Sequence, residues 1–556
     1  MNYVNLAWKY ARDVVSGRVI ACEPIIQQCA RSLLWRKEKR YKLDKKKAEK
    51  ACQFICLFPH TKGVWAKRSE PFVLEGWQAF FVCMIYGWMR PDLTRVIRRA
   101  RLYVARKNGK SDVAARIGLK MAAADEEYAP EVYCGATTEA QAWEVFRPAK
   151  RMVDKSEDFR EFYSVEALAK SIICHEDDGF FKPLIGKPGD GSSPHCSIAD
   201  EYHEHPDDTL VSTMETGMGA RSQPLSLVTS TAGETIGGAC YNDWLDCLSV
   251  LKGITEDDEL FALVYTADPD DDWKSEAGLK KANPNFGVSV GRDFLLSQQK
   301  QAIASARKQG PFKTKHLNLW VGAMNSYFNV EGWKSCAVQN FNMDDYAGCP
   351  AWFGLDLASK RDIAALRVFI EIGNGKYAVF GKQYLPEGDS DTDFGANSER
   401  YNALTIDGWL ERTDGNVIDF ACIEQDILEI TKIFETRLVG YDPYQGNYLA
   451  TRLLAEGVPM VEYGQTVKNF SDPMKTLDAL IASKRIVQDG DPCMDWMMGN
   501  VVAKEDKKEN VFPNKARAEN KIDGPVALMM AVGLSGVAIE AGEMDSYLET
   551  EEMMVF

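Results

Sequence analysis

The chain has 556 residues, 45% of them hydrophobic and 26% charged, with a formal net charge of -15 at pH 7. A chain this long exceeds what one hydrophobic core organises, so two or more domains are expected. No apolar run nears the roughly 20 residues that cross a bilayer, the start MNYVNLAWKYARDVV lacks the apolar stretch of a signal peptide, and the acidic balance excludes a simple nucleic-acid sponge; a cytoplasmic protein without membrane contact is expected.

The first feature in chain order is Arg31 to Lys50, RSLLWRKEKRYKLDKKKAEK, rich in Lys and Arg and interrupted only by Glu38, Asp44 and Glu49 among acids. It reads either as the solvated face of a helix or as a segment contacting DNA or a partner. Residues 1–60 are assigned to this basic helical segment. Cys52 and Cys56 with His60 have loose metal-like spacing without a fourth ligand nearby, and the 14 cysteines form no paired C-x-x-C clusters, so reduced, buried thiols are expected.

Next comes RLYVARKNGKSDVAARI, Arg101 to Ile117. Leu102 to Ala105 is a short apolar run, and Val113, Ala114, Ile117 and Met121 recur at helical spacing, so the loop Arg106 to Lys110 lies between a strand and a helix N-terminus. Backbone N–H groups and the helix dipole favour an anion there. The phosphate-loop spacing G-x-x-x-x-G-K-S/T is incomplete, because Val104 stands where the first glycine belongs. A nucleotide motor also needs a strand ending in acids, one for magnesium and one to orient water. HCSIADE, ending in Asp200-Glu201, supplies it; Glu131 to Ala136 and Leu225 to Ala232 add further strands, the latter running into Thr229-Ser230-Thr231. Alternating strands and helices imply a parallel sheet with ligands at the strand C-terminal ends. His203 and His205 are read as loop residues and not as metal ligands.

From about residue 350 the texture changes. Ala351 to Leu357 is a buried strand interrupted by Asp356, and a buried carboxylate is costly without a cation or a donor. A hairpin follows, Ala364 to Ile372 and Lys376 to Leu385 joined by Gly373-Asn374-Gly375. Then come a helix marked by Ile423, Ile427, Ile430 and Phe434, a strand ending in Asp442, the helical stretch Tyr448 to Glu456, and Asp523 just before an apolar helix. That order is expected for a ribonuclease-H-like fold, whose first and fourth strands lie side by side and would bring Asp356 and Asp442 together. Three carboxylates around one cleft are best explained by divalent ions. Asp362 ranks lower, as a supporting acid or salt-bridge partner. The last residues, 541–556, form an acidic tail.

ARKNGKS, ADEYHEH and RSQPLSLVTSTAGE together resemble the large terminase subunit of tailed bacteriophages, the ATPase-nuclease of DNA packaging. GLDLASKRDIAAL, VGYDPYQ and KIDGPVALMMA resemble the nuclease domain of the same family, and PFVLEGWQAFF looks like its adenine-side motif. The resemblance implies an α/β chain with a P-loop NTPase domain followed by a ribonuclease-H-like nuclease: ATPase core 61–255, lid or linker 256–345, nuclease 346–540. FKTKHLNLW, Phe312 to Trp320, looks like the family's stretch between domains.

The resemblance also implies roles. ATP would lie on Gln78, Arg106, Lys107, Asn108, Gly109, Lys110 and Ser111, with Lys110 on the β and γ phosphates and Gln78 near the base. Ser111 and Asp200 would hold Mg2+, Glu201 would position the water and Arg106 would add charge near the γ phosphate. Thr229, Ser230 and Thr231 would couple hydrolysis to movement. Arg221 is either a finger reaching a neighbouring subunit or a surface residue. Asp356, Asp442 and Asp523 would hold the Mg2+ or Mn2+ of the endonuclease. Implied partners are double-stranded DNA, a portal protein, a small terminase subunit and further copies in a ring of five, in the host cytoplasm and docked transiently on the procapsid, not in the mature virion. A helicase-type ATP-dependent repair nuclease is the alternative.

Overall fold

A computed structural model describes residues 2–536, apart from 69, 137, 186–190, 322–325, 358–361, 389–393, 395–396, 506–509 and 516–519; the acidic tail lies outside the described residues. The chain forms two compact units, residues 1–304 with 311–321, and 305–310 with 322–556. That division falls ahead of residue 346 because Phe328 and Trp333 are buried in the core of the second unit.

The first unit opens with helices α1 (Tyr3–Val15), α2 (Glu23–Glu38), α3 (Lys45–Ile55) and α4 (Gly76–Gly87). Their apolar faces join one core with the sheet that follows, through residues such as Trp8, Trp35, Phe54 and Phe80. Burial of such side chains, each worth about 1.5–3 kcal/mol, holds this layer on the sheet. The basic run is divided by this packing. Arg31 donates to Leu260 O at 2.9 Å and Arg40 pairs with Asp258 at 2.7 Å, whereas Lys45, Lys46 and Lys50 are exposed.

The chain continues through β1 (Arg99–Tyr103), α5 (Lys110–Ala123), β2 (Glu131–Ala136), α6 (Glu139–Asp154), β3 (Val165–Ala167), β4 (Ile172–Cys174), β5 (Gly179–Ile185), β6 (Cys196–Asp200), α7 (Thr209–Gly217), β7 (Leu225–Ser230), α8 (Ala239–Leu251), β8 (Leu260–Val264) and α9 (Glu276–Ala282). The eight strands form one sheet in the order β8-β1-β7-β6-β2-β5-β4-β3. The first six in that order are mutually parallel; β4 and β3 run antiparallel at one edge. Residues 256–345, expected as lid or linker, thus contribute the edge strand β8. Strands β1, β6 and β7 are adjacent, so the loops at their C-terminal ends share one side of the sheet, where an open α/β sheet binds ligands.

The second unit holds β9 (Pro350–Asp356), β10 (Ala364–Gly373), β11 (Lys376–Pro386), β12 (Glu411–Thr413), α10 (Phe420–Ile430), β13 (Glu435–Tyr441), α11 (Pro443–Ala455), β14 (Met460–Glu462), α12 (Val467–Ala482), β15 (Ile486–Gln488), α13 (Pro492–Asn500) and α14 (Asp523–Ser535). Its sheet runs β12-β11-β10-β9-β13-β14, with β15 also on β11. β9, β10 and β11 are an antiparallel meander, and β9 pairs with β13 in parallel. Two boundaries differ from expectation. Phe434 lies beyond α10, and α11 begins at Pro443, because the Asp442 side chain accepts from Tyr444 N and caps the helix earlier than its apolar spacing suggests. α14 is buried along nearly its whole length and packs on β9 and β10. Gly354 permits this contact: a β-carbon there would lie 1.8 Å from Ala527 O.

Candidate active sites

In the first unit the phosphate-loop helix and the acidic strand face each other. Gly109, at φ +88°, is the N-cap of α5, a left-handed position glycine takes without strain. The next two residues turn to β6: Lys110 Nζ lies 2.8 Å from Glu201 Oε1, and Ser111 Oγ donates to Asp200 Oδ2 at 2.7 Å. The other oxygen of Asp200 accepts from Thr229 Oγ1 at 2.6 Å. Three separate stretches of sequence are therefore knit by one carboxylate pair. Glu201 itself sits at φ +50°, ψ +46°, a backbone position that costs a β-carbon-bearing residue about 1–2 kcal/mol. Its Oε2 is buried without a hydrogen-bond partner among the described residues.

Arg106 lies near two imidazoles. Burial, with the charges of Lys110 and Arg106, pushes His203 down to about 3; burial, Lys315 and Arg106 push His316 down to about 4. Both rings are neutral at pH 7. Lys107 is exposed, and its carbonyl accepts from Ser289 Oγ at 2.8 Å. Asn108 is fully buried, and its side chain braces the loop, donating to Ala105 O and Asn283 Oδ1 and accepting from Asn285 N. Asn285 Nδ2 reaches Asn108 O at 3.1 Å, and Trp77 Nε1 donates to Asn285 Oδ1 at 2.8 Å. Asn283 and Asn285 were not singled out in the sequence; their only signal was the turn-like ANPNFG after a helical stretch. Gln78 forms a reciprocal capping box with Glu75, accepting from its N–H at 2.9 Å, while Nε2 lies 3.9 Å from where a β-carbon of Gly109 would be. Thr229, Ser230 and Thr231 are buried.

Arg221 lies between loops. Its guanidinium donates to Ser193 O, Tyr128 O and Ala129 O and pairs with Glu127 at 3.1 Å. It is half-buried, and these contacts tie loops within its own chain.

In the second unit Asp356 ends β9, and Asp442 follows β13, whose register pairs Leu355 with Tyr441. The two aspartates therefore emerge side by side. Asp523 is the first residue of α14, brought to β9 by the close approach at Gly354. Burial, then the charges of Asp523, Asp442 and Asp362, drives the Asp356 carboxyl well above the usual carboxylate range, against the Gln465 amide, which donates to Oδ1 at 2.9 Å. Burial and Asp362 raise Asp523 to about 6, and its Oδ2 is buried without a hydrogen-bond partner among the described residues. Asp362 pairs with Lys521 at 2.7 Å. Mutually repelling carboxylates with a buried, orphaned oxygen are the donor set of a divalent cation site. A separate cluster of Glu411, Cys422 and Asp426 has the proximity for a metal, but its two carboxylates already share the Lys382 ammonium, 2.6 Å from Asp426 and 3.5 Å from Glu411.

The two units are thus a nucleotide-hydrolysing domain and a metal-dependent nuclease domain carried on one polypeptide. Family models match in the same chain order: the terminase large subunit ATPase domain matches residues 76–246, and the terminase large subunit endonuclease domain matches residues 254–538, a match that begins within the first unit, ahead of β8. Protein YmfN of Escherichia coli is 40% identical over 397 residues, covering 69% of this chain and 87% of that protein. The terminase large subunit of Enterobacteria phage HK97 is 26% identical over 515 residues, covering 90% and 98% respectively. The crystal structure of the HK97 bacteriophage large terminase covers 88% of this chain and 99% of that chain, at 26% identity and a TM-score of 0.43. The chain belongs to the terminase large subunit family, and with it to the DNA-packaging motors that combine ATPase and endonuclease activity. The family models and the HK97 terminase give no support to the helicase-type repair nuclease.

Proposed function

We propose that the first unit drives double-stranded viral DNA into procapsids and the second cuts it, with the roles distributed as follows. Lys110 contacts the β and γ phosphates of ATP, with Arg106 adding positive charge beside the γ phosphate. The amides of Lys107 to Ser111 line the phosphates, and Gln78 stands at the adenine side. Ser111 and Asp200 are the residues that would hold Mg2+; Thr229 orients Asp200 by taking one of its oxygens, and Glu201 orients the attacking water. Thr229, Ser230 and Thr231 relay the state of the site to the rest of the motor. In the second unit Asp356, Asp442 and Asp523 would hold Mg2+ or Mn2+. When bound, such ions supply Lewis-acid charge at phosphate oxygens. Gln465 orients Asp356, and the cap to Tyr444 N orients Asp442.

The observation that carries this reading is the pair of hydrogen bonds on Asp200, one from the phosphate-loop helix and one from the coupling strand. The ATPase core expected at 61–255 is extended to include β8, and the nuclease expected at 346–540 to begin ahead of Phe328. By family, the working form is a ring of five on a portal, supplied with DNA by a small subunit, in the host cytoplasm and docked transiently on the procapsid. ATPase assays test the engine: Lys110→Ala and Glu201→Gln are expected to lose nearly all turnover, and normal turnover in either rejects the assignment. Plasmid nicking with Mn2+ tests the cutter: Asp356→Ala is expected to abolish it, and retained nicking rejects that site.

A further inference from the structure

His203 stands where the acidic pair meets the coupling strand. It lies two residues after Glu201, in the 3-10 turn Tyr202–Glu204. Its backbone N–H donates to Ser230 Oγ at 3.0 Å, and its Nδ1 lies 3.1 Å from the same oxygen, 3.4 Å from Thr231 Oγ1 and 3.4 Å from Glu201 Oε2. The Ser230 hydroxyl gives its proton to Thr231 O at 2.8 Å, so it presents lone pairs to the imidazole, and the network assigns the ring proton to Nδ1. That proton faces Ser230 Oγ, and Glu201 Oε2, 3.4 Å from the same nitrogen, has no hydrogen-bond partner among the described residues. Gly233 packs closely on this side chain: a β-carbon there would lie 3.1 Å from His203 Cβ and 3.5 Å from Cδ2.

We propose that His203 is a positioning residue that fastens the carboxylate of Glu201 to the coupling strand at Ser230 and Thr231. The proposal rests on the reading of Glu201 as the group that orients water. Glu201 Oε1 is held by Lys110, a flexible cation that also serves the phosphates, so a carboxylate with that contact alone would follow the lysine. The imidazole, 3.4 Å from Oε2 and bonded to Ser230 of β7, is the neighbouring group placed to give it a second hold. A shift of residues 229–231 is then delivered to the catalytic carboxylate through one ring, and a shift of the carboxylate is delivered back to the strand.

A purely space-filling histidine would be replaced by leucine without kinetic cost, whereas a positioning histidine needs its N–H near the Nδ1 position, which asparagine supplies and leucine does not. Steady-state ATPase of the full chain is measured for the parent, His203→Leu and His203→Asn, with Glu201→Gln beside them. His203→Leu is expected to lower kcat on the order of 10- to 100-fold with KM for ATP within about twofold, the size of effect that a misplacement of about 1 Å produces. His203→Asn is expected to recover most of the loss. Unchanged kcat in His203→Leu, a loss confined to KM, or equal losses in His203→Leu and His203→Asn each overturn the proposal. Normal turnover in Glu201→Gln overturns instead the reading of Glu201 on which it rests.

Discussion

At Asp523 burial and the charge of Asp362 raise the carboxyl to about 6, against 3.8 for an ordinary aspartate, and burial with the charges of its acidic neighbours holds Asp356 well above the usual range. Between 3.8 and about 6 the folded chain keeps a proton that the unfolded chain has lost. The contribution to stability is therefore complete at low pH and is lost as the pH rises through about 6. In chelator, the melting transition of the second unit is expected to fall between pH 5 and 7.5; Asp523→Asn is expected to flatten that dependence, and Mn2+ at pH 7.5 to reverse it. A melting temperature that rises over the same range in chelator would contradict this account of the acids. At this scale the sequence was legible where chemistry demands a particular residue: an acid interrupting an apolar strand, or Lys-Ser at a helix start. It was not legible for Asn108, whose place in a phosphate-loop motif hid that its side chain is consumed in bracing the loop, nor for Arg221, whose partners Glu127 and Ser193 come from distant loops.

At the scale of elements, the position of α14 decides whether the third carboxylate reaches the other two. A methyl group at residue 354 would collide with Ala527 O at 1.8 Å, and neither a strand backbone nor a helix carbonyl yields cheaply. Gly354→Ala is expected to destabilise the second unit by about 1–3 kcal/mol or more, the range of overpacked cores, and to abolish nicking while ATPase turnover persists. Denaturant unfolding and paired activity assays measure both; full nicking in a stable variant would show that α14 does not set the metal site. The strands that carry the two sites were readable, and so was the pairing of β9 with β13, because Val- and Leu-rich runs, a Gly-Asn-Gly hairpin and strand-ending acids are local signals, whereas short strands such as β3, β4, β12, β14 and β15 were not. Strand β8 and the early start of the second unit were not, since Leu260–Val264 carries no motif and Phe328 and Trp333 declare themselves only by packing.

For the whole molecule, two sites built on two sheets with separate cores predict separable losses. Lys110→Ala is expected to leave Mn2+-dependent nicking within a few-fold of the parent, and Asp356→Ala to leave ATP hydrolysis equally intact; loss of both activities in either variant would mean that the units do not fold independently. One short stretch nonetheless touches much of the first unit. Lys315 O accepts from Arg106 N and His316 O from Asn283, while buried Asn318 accepts from Ala232 N at 2.7 Å and donates to Tyr265 O at 2.6 Å. Residue 322, where the second unit resumes, is only four positions beyond Asn318. That stretch is in effect a seam: the phosphate loop, the segment that follows β8 and the segment after the coupling strand are stitched to the same few peptide groups, so a change in any one of the three meets the other two there.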